Sequence, residues 1–80
     1  MTRTALAAAI LALPREQQVC LNLFVVERCS PIEAAALMER LTGEHYTVEQ
    51  VEAMYGATLA VLQTPIDEYL QLAAVLRELN

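Results

Sequence analysis

Eighty residues with five arginines, no lysine, ten acids and a formal charge of −5 at pH 7 argue against a domain that clothes a phosphate backbone in positive charge. A chain this short buries only about 60% of the surface its unfolded form exposes, which leaves one marginal core and no spare mass for a catalytic cleft. Hydrophobic residues make up 56% of it, above the roughly 45–50% of an average globular domain even with glycine counted in, so some apolar surface is expected to need a partner.

Ala, Leu and Glu dominate, and the punctuation divides the chain into about five short helices. The first is expected from Thr4 to Leu13, ended by Pro14. A second runs from Pro14 to about Arg28; it is apolar nearly all round through Val19, Leu21, Leu23, Phe24, Val25 and Val26, as a central buried helix should be. Ser30-Pro31-Ile32-Glu33 is a capping box with proline at the first helical position, and the helix it opens should stop before Gly43, a natural left-handed cap. Thr47-Val48-Glu49-Gln50 is a second box, opening a helix with Val48, Val51, Tyr55, Leu59 and Leu62 on one face and Gly56 as a point where it bends or breaks. Thr64-Pro65-Ile66-Asp67 starts a fifth, with Ile66, Leu70, Ala73 and Leu76 as its stripe. The expectation is one all-α domain over residues 1–80, a compact orthogonal bundle with no internal repeat and no dividing linker.

The charge is unevenly placed. Arg3, Arg15, Arg28 and Arg40 cancel Glu16, Glu27, Glu33 and Glu39, whereas residues 41–76 hold Glu44, Glu49, Glu52, Asp67 and Glu68 with no arginine or lysine. Cys20 and Cys29 are nine positions apart, a rise of roughly 13 Å on a helix, too far for the ~4.4–6.8 Å between disulfide Cα atoms. Reduced thiols point to a cytoplasmic protein. The run Ala5 to Leu13 is too short for a signal peptide, and no apolar run approaches the ~20 residues of a membrane span.

Leu13-Pro14, Gln17, Leu23, Glu27, Ser30, Glu33, Ala35 and Leu37-Met38 stand without a gap at the spacings of region 4 of bacterial sigma factors. This stretch resembles that region and the related helix-turn-helix domains of bacterial regulators, and the resemblance implies a helix-turn-helix-like scaffold over about residues 13–62. Beyond Met38 the pattern departs: the turn is lengthened by Glu39 to Tyr46, and Thr47-Val48 leads into Glu49, Gln50, Val51, Glu52, Ala53 and Met54 instead of basic residues for phosphates and guanine edges. The resemblance implies a shared scaffold, while the DNA-reading side chains are missing.

No constellation supports catalysis, a cofactor or a metal. His45 reads as an exposed turn residue, Ser30 as a cap rather than a nucleophile, and the cysteines as core residues without the four ligands of a zinc site. The pairs Glu49/Glu52 and Asp67/Glu68 suit the positive end of a helix dipole. The last two helices carry more large apolar residues than one face hides: Met54, Tyr55, Leu59, Leu62, Tyr69, Leu72 and Val75 read first as core, and the alternative is a dimer or protein-binding surface, with Glu49, Glu52, Met54, Tyr55, Leu59, Tyr69 and Leu72 as its candidates. The leading expectation is a non-enzymatic regulator or adaptor that binds a protein with a basic surface, as an inhibitor or anti-activator of a transcription or secretion component. Two alternatives stay open: a dimeric DNA-binding regulator using Arg3, Arg15, Arg28 and Arg40, and a small homo-oligomeric structural protein or chaperone.

Overall fold

A computed structural model describes residues 2–62 and 69–79. They form helices α1 (Arg3–Leu11), α2 (Arg15–Val25), α3 (Pro31–Thr42), α4 (Val48–Leu62) and α5 (Tyr69–Leu79), with no strand among the described residues. The all-α expectation holds.

The helix ends follow local chemistry. The Thr2 hydroxyl accepts from the Ala5 N–H at 3.1 Å and starts α1. This helix ends at Leu11, two residues earlier than expected, because the residue ahead of a proline is pushed out of the helical region. Gln18 of α2 reaches back to the carbonyls of Leu13 at 2.9 Å and Leu11 at 3.4 Å, giving the end of α1 a donor and fixing the corner. Pro14 is the cap itself, with extended backbone, and not the first helical residue.

Helix α2 stops at Val25 rather than Arg28. Glu27 donates to Asn22 five residues back at 3.1 Å, Cys29 donates to Leu23 at 3.0 Å, and Arg28 takes a left-handed φ of 54° to let the chain turn. Both arms of the Ser30 box form: the Ser30 hydroxyl accepts from the Glu33 N–H at 3.2 Å, and the Ser30 N–H donates to Glu33 Oε1 at 3.0 Å. Gly43 closes α3 at φ 79° and donates to the Glu39 carbonyl at 2.8 Å. Glu39 to Thr42 are therefore helical, and the connection to α4 is only 43–47, shorter than the lengthened turn expected from Glu39 to Tyr46.

The Thr47 box also forms, with Gln50 as its second member: Thr47 N–H to Gln50 Oε1 at 2.8 Å and Gln50 N–H to Thr47 Oγ1 at 3.1 Å. Helix α4 passes through Gly56 unbroken. One glycine costs a helix about 1 kcal/mol relative to alanine, less than the burial of Val51, Thr58 and Leu62 on either side of it holds in place. The Thr64-Pro65 start of the fifth helix, and Ile66 of its stripe, lie outside the described residues.

Two buried clusters fill the interior. One joins Leu6 and Ile10 of α1, Leu13, Leu21 and Val25 of α2, Leu62 of α4, and Leu72, Ala73, Val75 and Leu76 of α5. The other joins Cys20 and Leu23 of α2, Ala34, Ala35 and Met38 of α3, and Val51 of α4. Helix α2 contributes to both, as its nearly all-round apolar surface requires, and α4 does the same at its two ends. Tyr55 packs against both clusters. At the far end, α1 and α5 pack together and Arg3 pairs with Glu78 across them.

Candidate protein-binding surface

The seven candidate residues do not form one surface. Leu72 is fully enclosed in the α1–α5 cluster, with 0% of its surface exposed, and Val75 and Leu62 are enclosed with it. All three take the core reading, and Leu72 is not part of a binding surface, because α5 packs against α1 and α2 at once and needs a wide apolar face to do so. Tyr55 is half-buried, its ring stacked on Phe24 with centroids 4.5 Å apart and planes at 11°, so it is a joint between α2 and α4. Leu59 is half-buried against the same cluster as Leu72. The side chain of Tyr69 lies outside the described residues.

Glu49, Glu52 and Met54 remain on the outside of α4. Glu49 and Glu52 are exposed, and Met54 is half-buried, with part of its side chain on the α2–α3–α4 cluster. The turn ahead of α4 completes a surface around them. A shallow, open depression is lined by Glu44, His45, Tyr46, Gln50, Ala53 and Met54. Tyr46 stands just before the Thr47 cap and packs on the cluster that contains Val51, the arrangement of a hydrophobic staple. Its hydroxyl donates to Glu44 Oε2 at 3.5 Å. His45 is exposed, as expected of a turn residue, with Nδ1 3.4 Å from Glu39 Oε2.

Tyr46 and Ala53 were not among the sequence candidates. The staple was the available signal for Tyr46, because a large apolar residue directly before a capping box is braced on the first helical turns. Other large apolar side chains are more than half exposed: Leu11 on α1, Ile32 and Leu41 on α3, and Val61 on α4. The apolar surplus therefore appears on several faces rather than on the last two helices.

The remaining groups are accounted for locally. Cys20 is fully buried, its thiol lies 3.7 Å from the Val51 carbonyl, and burial pushes its pKa up to about 11. Cys29 is also raised, by desolvation and then by the charges of Glu33 and Glu27. Both cysteines are free, and neither is an activated thiolate. Thr58 is the buried polar residue, and its hydroxyl donates to the Met54 carbonyl at 2.7 Å. Among the described residues no group of three or more His, Cys, Asp or Glu is placed to hold a metal ion, and no helix is long and apolar enough to cross a membrane.

The described residues form five helices, with a depression lined by Tyr46, Ala53, Met54 and Glu44, among others, beside α4. Comparison with family models, with curated proteins and with solved structures finds no match to the chain.

Proposed function

We propose that this chain is a non-enzymatic cytoplasmic adaptor or regulator that binds another protein through the outer face of α4 and the turn before it. The observation that carries the reading is the pairing of unneutralised acid with accessible apolar surface. Glu44, Glu49 and Glu52 are exposed, no arginine or lysine occurs from residue 41 to residue 76, and Tyr46, Ala53 and Met54 lie among them. An acidic face of this kind speeds encounter with a basic surface, including one that otherwise meets DNA, and an apolar centre then supplies affinity. Such a contact suits an inhibitor or anti-activator of a transcription or secretion component.

The sigma-region-4 resemblance supports the same reading. The segment 13–62 spans α2, α3 and α4, which pack on one another, and in chain order α4 is the counterpart that the resemblance gives to a recognition helix. Its outward residues include Glu49, Gln50, Glu52 and Ala53, which offer a phosphate backbone repulsion. Of the arginines that a DNA-binding dimer would bring together, Arg3 is paired with Glu78.

Capture of partners by the tagged chain from a native lysate, at low and high salt, tests the proposal. The expected result is a protein partner lost at high salt, whose association slows about tenfold when Glu49→Lys and Glu52→Lys are combined. An unchanged association rate sinks the role of α4. Recovery of duplex DNA replaces the adaptor with a DNA-binding regulator, and a chain that recovers only itself is a homo-oligomer.

A further inference from the structure

The depression beside α4 combines two chemistries. It is lined by apolar Tyr46, Ala53 and Met54, the floor for an apolar ligand group, and by polar Glu44, His45 and Gln50. Glu49 adjoins the floor because residues four apart on a helix are neighbours, and Ala53 is the fourth residue after it. One side of the floor is braced, since Tyr46 rests on the core, and the other is adaptable, since methionine is unbranched and fits irregular apolar shapes. Past Glu44 and Tyr46 a second shallow depression brings up Arg15, but Glu16 lines it too, so that side adds no net charge.

We infer that the occupant of this depression is a basic amphipathic helix of the partner protein, seating one aliphatic side chain on Tyr46, Ala53 and Met54 and laying Lys or Arg against Glu44 and Glu49. This rests on the adaptor reading and narrows its partner. A second copy of the chain would bring the same acidic rim to an isologous contact, where like charges oppose pairing. A nucleic acid would bring phosphates to the same carboxylates. A helix with apolar residues three and four apart and cations flanking them meets floor and rim together, as helix-in-groove ligands do.

Amide NMR titration of the full 80-residue chain with a synthetic helical peptide, leucine on one face and lysine elsewhere, tests the inference. Shift changes should centre on Tyr46, Gln50, Ala53 and Met54. Ala53→Glu separates the two components of the contact, because it obstructs the floor while adding a carboxylate to the rim. Seating of an apolar anchor predicts about tenfold weaker binding for this variant, whereas attraction by charge alone predicts tighter binding. Ala53 is exposed and glutamate is a good helix former, so the fold should tolerate the change. Ala53→Gln obstructs the floor without adding charge and should weaken binding to a similar degree, so the answer does not depend on one variant. Equal or tighter binding by both variants, or shift changes centred elsewhere, overturns the inference. If the peptide fails to bind while partner capture stays sensitive to Glu49→Lys and Glu52→Lys, the helical occupant is wrong and the adaptor reading survives; if capture is insensitive as well, both fall.

Discussion

Arg28 and Gly43 end α2 and α3 with the same left-handed backbone, at φ 54° and 79°. Glycine takes that conformation without steric penalty, whereas a residue with a Cβ is disfavoured by roughly 1–2 kcal/mol. Arg28→Gly should therefore stabilise the chain by ~0.5–1 kcal/mol, part of the relieved strain being offset by the greater freedom of glycine in the unfolded state, and Gly43→Ala should destabilise it by about 1 kcal/mol. Gly56 has the opposite sense. It lies inside α4, and a Cβ there would meet no atom within 4 Å, so Gly56→Ala should stabilise by about 0.5–1 kcal/mol. Denaturant titration of the three variants checks these signs, and a Gly56→Ala midpoint below that of the parent chain would show a role for the glycine beyond the helix itself.

Among the elements, α3 has the most fully specified start, with Ser30, Pro31 and Glu33 each filling an N-terminal role. The Glu33 carboxyl is held below its ordinary value, first by the backbone N–H of Ser30 and then by the Ser30 side chain. A carboxyl lowered on folding adds stability above its unfolded pKa, and loses that contribution as the pH falls through its folded one. The stability gap between the parent chain and Glu33→Gln should thus be larger at neutral pH than near ~pH 3. Thermal midpoints at the two pH values decide this, and a gap that does not narrow would place the value of Glu33 outside its charge. Capping boxes were legible in the sequence because their members are three residues apart and need nothing from the rest of the fold. The end of α2 was not. Its apolar run continues to Val26, but the widened bonds of Glu27 and Cys29 and the turn at Arg28 divert the chain.

At the scale of the molecule, two clusters share α2 and α4 and so are mechanically joined. Met38 lies in one and Leu72 in the other, both fully buried. Met38→Ala and Leu72→Ala should each cost about 2–5 kcal/mol, and each should shift one cooperative transition rather than split it. Far-UV circular dichroism and tyrosine fluorescence should trace coincident curves for both variants. Separated curves would mean that the α1–α5 end and the α2–α3–α4 end unfold independently. The surface proposal belongs to this scale too, because it depends on the turn 43–47 and one face of α4 being presented together.

The sequence by itself determined the helical class, the two capping-box helix starts at Pro31 and Val48, the Gly43 stop, the central place of α2 and the acidic character of the second half, since each depends on local hydrogen bonding, on periodicity or on summed charge. Only the tertiary structure decided which apolar residues face outward. Leu72, Leu41 and Leu11 are all helical leucines, yet Leu72 is enclosed in the core while Leu41 and Leu11 are each more than half exposed. Which side of a helix is covered depends on how many neighbours it meets. Helix α5 meets α1 and α2 together, whereas the floor at Tyr46, Ala53 and Met54 exists because no other described helix lies across that face of α4, a fact of arrangement in space that no local pattern encodes.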